Sequence, residues 1–202
     1  MDALPQQQLE VPAAFTIRAK IAHFRVRNFA SWDDAFRSSM GGHYGRAVPA
    51  VWVPRDGLAA PITVILKLMI GQTAGGGGGA TTRDAFENEV DVLQQVRVRY
   101  DGTRATRAQG GAPAHIAGLA HLTFTYCTGW EEDAASILPT QAPPGAPLFF
   151  IAMEPLTGGR LWDRLRVTDG PLPHDSAIRA ATDLLSALAA LHALGFAHAD
   201  LK

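Results

Sequence analysis

The chain has 202 residues, of which 47% are hydrophobic and 18% charged, so it can bury one good core or a small domain with part of a second. Its net charge of −1 gives no electrostatic basis for binding nucleic acid or an anionic membrane. A single cysteine, Cys127, excludes an intramolecular disulfide and fits a reducing compartment.

The N-terminal region is expected to be a tail followed by a structured lead-in. The first fifteen residues are polar and contain proline and glutamine, without the basic and apolar regions of a secretory signal. Thr16–Phe29 mixes basic and apolar residues and predicts a strand or a short amphipathic helix, with a basic membrane-surface or targeting role as the weaker alternative. No apolar run reaches membrane-spanning length, so we expect a soluble, cytoplasmic protein.

Two β-rich stretches follow, at Val48–Val53 and Ile62–Ile70, on either side of the turn-forming Pro54–Gly57. The second contains a β-branched run and predicts a buried strand. Five consecutive glycines at Gly75–Gly79 predict a loop, because glycine carries no side chain to pack. No Gly-Lys-Ser/Thr follows these glycines, so they do not form a phosphate-binding P-loop.

A helix is predicted at Arg83–Arg97, because apolar side chains recur there at helical spacing and Thr82 or Asp84 could cap its start. Beyond it, the Gly/Ala/Arg-rich Asp101–Pro113 predicts a disordered loop. The next expected elements are a strand at Ile116–Thr125 and a second inserted loop at Thr128–Pro147.

The C-terminal part begins with a strongly predicted buried strand at Leu148–Met153, stopped by Glu154-Pro155. A short helix is predicted at Leu161–Leu165. The clearest helix of the chain is Ile178–Leu194, which Gly195 should end. Its apolar stripe comprises Ile178, Ala181, Leu185, Leu188 and His192, widened by Leu184 and Leu191.

The last residues of the chain carry the most specific motif, His198-Ala199-Asp200-Leu201-Lys202. It resembles the catalytic loop of eukaryotic protein kinases, H-R-D-L-x-x-x-N, with Ala199 in place of the usual Arg. The resemblance implies that Asp200 takes the proton of the substrate hydroxyl and that Lys202 steadies the transferred γ-phosphoryl group. A Lys two residues after the Asp favours Ser/Thr kinases over Tyr kinases and small-molecule phosphotransferases.

Two further segments resemble the strand and the helix that contribute an ion pair in kinases. Thr63–Lys67 resembles the V-A-I-K strand, whose Lys binds the α- and β-phosphates of ATP. Phe86–Leu93 resembles the αC helix, with Glu89 as the partner of Lys67 and Glu87 as the alternative. Taken alone, Lys67 is better explained as a lysine whose stem follows the strand while its head lies in water.

The region Met40–Ala47 lies where a kinase glycine-rich loop belongs. Gly42 and Gly45 match the second and third glycines of G-x-G-x-x-G, Tyr44 takes the aromatic position, and Met40 replaces the first glycine. On this resemblance, Ala47 replaces the valine that covers the adenine. Glycines serve there because they let the backbone approach the phosphates closely. A plain Gly-rich turn remains the alternative.

Leu148–Gly159 resembles the fifth strand and hinge of kinases. The resemblance implies that Met153 is the gatekeeper and that Glu154 and Leu156 supply the hinge backbone groups for adenine. No metal site is expected within the chain, because His115, His121 and Cys127 recur at six-residue spacing without a fourth ligand or a tight pair.

Together these segments predict an α+β fold: a kinase-like small lobe, with a five-stranded antiparallel sheet and an αC helix, then the first helices of an incomplete large lobe. The expected divisions are a lead-in (1–29), the small lobe (30–153), the hinge (154–160) and the start of the large lobe (161–202). Inserted loops are expected near 71–82, 101–114 and 126–147.

The implied function is ATP-dependent phosphorylation of Ser or Thr in a protein substrate. The kinase pattern places the Mg²⁺ ligands, a catalytic-loop Asn and a D-F-G Asp, beyond Lys202. The sequence is therefore expected to be a fragment that is inactive alone. A pseudokinase or kinase-derived interaction module is the alternative, favoured by Ala199 and the altered glycine loop. An unrelated α+β protein is the least favoured interpretation.

Overall fold

The computed structural model describes residues 16–39, 41–42, 45–53, 60–72, 82–108, 122–158, 161, 165–166, 170–199 and 201. Within these ranges the fold is α+β, with three α-helices and one sheet. The helices are α1 (Trp32–Ser38), α2 (Thr82–Ala108) and α3 (His174–Ala193). The strands are β1 (Thr16–Ala19), β2 (Phe24–Val26), β3 (Gly41–Gly42), β4 (Gly45–Trp52), β5 (Ile62–Ile70), β6 (Thr125–Glu131) and β7 (Leu148–Met153).

Five of the strands form an antiparallel sheet in the spatial order β2-β4-β5-β7-β6. Strand β1 adds to β6 in parallel, and the two-residue β3 pairs with the beginning of β4. The predicted five-stranded antiparallel sheet is therefore present, extended by a parallel edge strand and a short hairpin.

Strand β5 separates two hydrophobic cores because its side chains alternate between the faces of the sheet. Val64, Leu66 and Leu68 are fully buried on one face, whereas Met69 belongs to the core on the other face. Lys67 lies on the second face, between Ile65 and Met69 in the alternation. The sheet is thus covered on both sides, and one side also carries the basic side chain.

The larger core lies on the face opposite Lys67 and is closed by α1, where the sequence predicts no element, and by a segment after β6 that it predicts as a loop. Ala35 and Phe36 of α1 pack there, as do Leu138 and Ala142 from the segment after β6. The ring of Phe24 lies edge-on to Phe150, with 5.6 Å between centroids.

The smaller core joins α2 to the other face of the sheet. Phe86 and Val90 are buried there with Phe149 and Ile151, and Leu93 packs against them. The rings of Phe86 and Phe149 stack with 4.9 Å between centroids. These α2 residues are the ones whose helical spacing predicts the helix.

Several predicted elements are confirmed with little change. The strands Ile62–Ile70 and Leu148–Met153 have the predicted bounds. The predicted Val48–Val53 strand is the main part of β4, and the long C-terminal helix begins four residues before Ile178. The lead-in comprises β1, a 3-10 turn and β2 rather than one element.

Three boundaries are wrong. Helix α2 continues through Ala108, so the loop expected from Asp101 does not begin there; its last residues include the good helix formers Arg104, Ala105, Arg107 and Ala108, although Gly102 disfavours the helix. The strand expected at Ile116–Thr125 is described only from residue 122 onward, and there β6 begins at Thr125 and continues to Glu131. Strand β6 occupies the start of the expected 128–147 loop, because pairing with β7 satisfies its backbone.

Some expectations concern parts of the chain outside the described residues. These include the Pro54–Gly57 turn, the glycines Gly75–Gly79 and most of the predicted helix Leu161–Leu165. Among the described residues, none of the helices is long and apolar enough to cross a membrane.

Helix α3 ends where its sequence predicts. Gly195 adopts a φ of +84°, its N–H donates to the carbonyl of His192 at 2.9 Å, and the Phe196 N–H donates to Leu191 at 3.0 Å. These two bonds form a Schellman motif, which satisfies the last carbonyls of the helix. The apolar stripe is largely exposed: Ile178, Leu184 and Leu185 retain 53, 46 and 64% of their accessible surface.

Candidate functional site

The centre of the candidate site is an ion pair between β5 and α2. The Lys67 ammonium lies 2.7 Å from both carboxylate oxygens of Glu89, and the side chains are only 27% and 32% exposed. The Lys67–Glu89 contact that the resemblance to kinases implies is therefore present. A charge-assisted hydrogen bond to each oxygen fixes the direction of the ammonium as well as its position.

The backbone explains why Glu89, and not Glu87, is the partner. Glu89 lies next to Val90 and three residues after Phe86, on the part of α2 that packs against the sheet. Glu87 instead accepts a hydrogen bond from Arg83 at 3.0 Å, in an exposed i,i+4 pair. The alternative partner is thereby excluded.

The two predicted phosphate-loop glycines face each other across a hairpin. Gly42 of β3 pairs with Gly45 of β4. Gly45 has a φ of +147°, and an added Cβ would come within 2.7 Å of the Leu68 carbonyl oxygen and 2.8 Å of the Met69 Cγ. Only glycine fits at this point, because both the dihedral angle and the space exclude a side chain. Met40 and Tyr44 lie outside the described residues.

Ala47 and Met153 share the face of the sheet that carries Lys67. Ala47 is the direct cross-strand partner of Lys67, and Met153 that of Ile65. Directly opposed residues of antiparallel strands project to the same face. Ala47 is exposed and Met153 half-buried, so this face offers a small apolar surface beside the ammonium.

The predicted hinge residues directly follow β7. The Glu154 N–H donates to the Phe124 carbonyl at 2.9 Å, and its Oε1 accepts the Phe124 N–H at 2.7 Å. Of the backbone groups of Glu154, the carbonyl is the one that a ligand could use. Leu156 is 69% exposed, so its backbone lies at the surface.

The two predicted catalytic residues, Asp200 and Lys202, lie outside the described residues, so their distance from Lys67 is not defined. Their neighbours His198, Ala199 and Leu201 are exposed. Ala199 adopts a φ of +57°, a left-handed conformation that costs a residue with a Cβ about 1–2 kcal/mol. The backbone therefore turns sharply just before Asp200.

Sequence reasoning missed the role of Arg97. It is buried, donates to the Thr125 carbonyl at 2.9 Å and lies over the Phe124 ring at 4.0 Å from the centroid. It thereby ties the middle of α2 to the beginning of β6, the strand that pairs with β7. The signal was available, since Arg97 continues the helical stripe of Phe86, Val90 and Leu93.

No group of three or more His, Cys, Asp or Glu side chains that could hold a metal ion occurs in the described part of the chain. The kinase pattern assigns the Mg²⁺ ligands to positions after Lys202, so these residues do not test that assignment. Cys127 is fully buried, and burial raises the pKa of its thiol to about 12. Such a thiol is a poor nucleophile and a poor metal ligand.

No model of a known protein family matches this chain. A search of curated proteins likewise gives no significant match.

Proposed function

We propose that this chain is the small lobe and the beginning of the large lobe of a protein kinase that transfers phosphate from ATP to Ser or Thr. The Lys67–Glu89 pair carries the proposal. Lys67 lies on the third of the five antiparallel strands in chain order, and Glu89 lies on the helix that follows, as in the kinase pattern. The partly buried ammonium of Lys67, held by the Glu89 carboxylate, is suited to contact the α- and β-phosphates.

The neighbouring residues support a nucleotide in one orientation. The adenine would lie against Ala47 and Met153, with the Glu154 carbonyl and the Leu156 backbone at its edge. The hairpin at Gly42 and Gly45 would bring backbone close to the phosphates. Glu89 orients the Lys67 ammonium, and Lys67 neutralises phosphate charge where β5 passes beneath the nucleotide.

In this proposal Asp200 accepts the proton of the substrate hydroxyl. The hydroxyl oxygen bonds to the γ-phosphorus while the bond from that phosphorus to the bridging oxygen of ADP breaks, and Lys202 neutralises charge on the γ-oxygens. Mg²⁺, when bound, neutralises charge on the β- and γ-oxygens. Its ligands belong to the segment that follows the catalytic loop, so transfer activity is proposed for a protein that includes that segment.

The decisive experiment extends the protein to the natural end of its reading frame and measures ³²P transfer from ATP to Ser and Thr peptides. Residues 1–202 alone should bind ATP weakly and transfer almost no phosphate. In the longer protein, Asp200→Asn should lower the rate of transfer by about 10²–10⁴-fold, because the base is lost. Asp175→Asn, at an exposed acid in the first turn of α3, is the matched control and should leave the rate unchanged. Robust transfer by residues 1–202, or full activity after Asp200→Asn, would refute the proposal.

A kinase-derived interaction module is the second candidate. It is favoured by the exposed apolar stripe of α3 and by Ala199 at the position of the usual Arg. Reading the coding sequence past Lys202 discriminates the two candidates. A catalytic Asn at position 205 and a downstream D-F-G predict the enzyme, and their absence predicts the module.

A further inference from the structure

Strand β4 pairs with two separate short strands, β2 and β3, and helix α1 lies between these two strands in the chain. Strand β2 pairs with the end of β4, at Ala50–Trp52, whereas β3 pairs with its beginning, at Gly45–Arg46. The glycine hairpin is therefore attached to the sheet at its own short ladder and is separated from the longer β2 ladder.

Arg46 connects this hairpin to α1. It directly follows Gly45 and is the cross-strand partner of Gly41. Its Nη1 donates to the carbonyls of Ser39 at 2.8 Å and of Phe36 at 3.3 Å, both at the C-terminal end of α1. The guanidinium carbon lies 5.2 Å from the centroid of the Phe36 ring. A cation at this end of a helix also interacts favourably with the helix dipole.

Helix α1 is itself firmly attached to the rest of the molecule. Ser31 caps its start, and Ala35 and Phe36 are buried in the larger core. The buried Asp33 accepts hydrogen bonds from the Thr140 N–H at 2.9 Å, from the Thr140 hydroxyl and from Arg37 at 2.7 Å. Helix α1, to which Arg46 bonds, is thus held both by its buried apolar side chains and by the hydrogen bonds of Asp33.

We propose that Arg46 is a positioning residue, which holds the Gly41–Gly45 hairpin at the height where its backbone meets the phosphates. This inference rests on the proposed nucleotide site. The Arg46 guanidinium is occupied by the carbonyls of α1 and so acts through the hairpin instead of through a direct phosphate contact. A lysine in its place keeps the charge but not the planar guanidinium that lies over the Phe36 ring.

The first test measures hydrogen exchange at Gly41, Gly42 and Gly45 in the protein without nucleotide. Arg46→Gln should speed exchange at these amides by about tenfold, while exchange in β5 and β7 stays unchanged. Arg46→Lys should give an intermediate increase in exchange. It replaces Arg46→Gln as the test variant if the Gln variant does not fold. Arg25→Gln, at an exposed arginine of β2, is the matched control and should leave the hairpin unchanged. Unchanged exchange in both Arg46 variants would overturn the inference.

The second test measures the affinities for ATP and for adenosine by calorimetry. Arg46→Gln should weaken ATP binding by about five- to tenfold and adenosine binding by less than twofold, because only the phosphates meet the hairpin. If the two ligands weaken equally, Arg46 acts on the whole lobe and the inference fails. If the unmodified chain binds neither ligand while the exchange result holds, the proposed function fails and the structural role of Arg46 stands.

Discussion

At the scale of single residues, the ion pair between Lys67 and Glu89 joins strand β5 to helix α2. Each charge lies on an element that packs independently, Lys67 on β5 and Glu89 on α2. The apolar contacts, and not the ion pair, therefore hold α2 against the sheet. The ion pair fixes the conformations of the Lys67 and Glu89 side chains. Its energetic coupling should be modest, because each side chain keeps about a third of its exposure.

A double-mutant cycle on the free energy of unfolding tests this. Lys67→Met and Glu89→Gln should each destabilise the protein, and the double variant should be more stable than the sum predicts by about 0.5–1 kcal/mol. Urea denaturation followed by circular dichroism gives the three values. The exposed pair Arg83–Glu87 is the control, with an expected coupling of about 0.3–0.5 kcal/mol. A coupling of zero for Lys67–Glu89 would contradict the contact.

Gly45 allows a second prediction at this scale, because the chain provides a matched control. Gly45 combines a φ of +147° with close contacts to an added Cβ, whereas Gly145 has a φ of +74° and open space around it. Gly145→Ala should cost about 1–2 kcal/mol through the dihedral alone. Gly45→Ala should cost at least about 1 kcal/mol more, because the backbone of Leu68 must move. Thermal denaturation compares the two, and equal losses would show that the hairpin can shift freely.

At the scale of elements, α1 is held by one buried carboxyl. The Thr140 hydroxyl that donates to Asp33 holds the pKa of that carboxyl below its usual range, with burial acting in the opposite direction and the Thr140 N–H and Arg37 adding to the lowering. A lowered pKa in the folded state contributes stability above the unfolded pKa, about 3.9, and loses it as the pH falls through the folded value.

The corresponding prediction compares the unmodified protein with Asp33→Asn as a function of pH. Asp33→Asn should lower the melting temperature by a constant amount between about pH 5 and pH 7. Below about pH 4 the difference should shrink, because the carboxyl of the unmodified protein becomes protonated. Glu132→Gln, at an exposed acid directly after β6, is the control. A difference that stays constant down to pH 2 would mean that the ionised form is not what holds α1.

The same helix shows what the sequence could not predict. Strands β5 and β7 were predictable because continuous apolar runs define them locally. The Lys67–Glu89 pair was predicted from the resemblance to kinases, and the helical stripe is consistent with the face on which Glu89 lies. Helix α1 is short, and its attachment depends on Asp33 meeting Thr140, which is 107 residues away. Strand β6 continues past its predicted end at Thr125 and includes Gly129 within a β-forming run. Gly129 is needed there since an added Cβ would overlap the Ala19 carbonyl of β1, a contact that no local pattern encodes.

At the scale of the whole molecule, the two sides of the sheet have different tasks. One side is closed by a large core built from the lead-in, α1 and the segment after β6. The other side carries α2, the ion pair and the apolar surface beside it. Because the first side supplies most of the burial, the second can keep a partly exposed charged pair without endangering the fold.

Helix α3 differs from both sides in that its most apolar residues face solvent. Only Ala187 and Ala190 are buried on it, whereas Leu184 and Leu185 remain exposed. Replacing both leucines by lysine should leave the melting temperature of the protein within about 1 °C of the unmodified value, since exposed substitutions change stability little. The same change should reduce concentration-dependent association, measured by light scattering, because an exposed apolar patch promotes it.

Leu66→Ala, in the large core, is the contrasting variant and should cost about 2–5 kcal/mol. A large loss of stability in the double lysine variant would mean that α3 buries these leucines in solution.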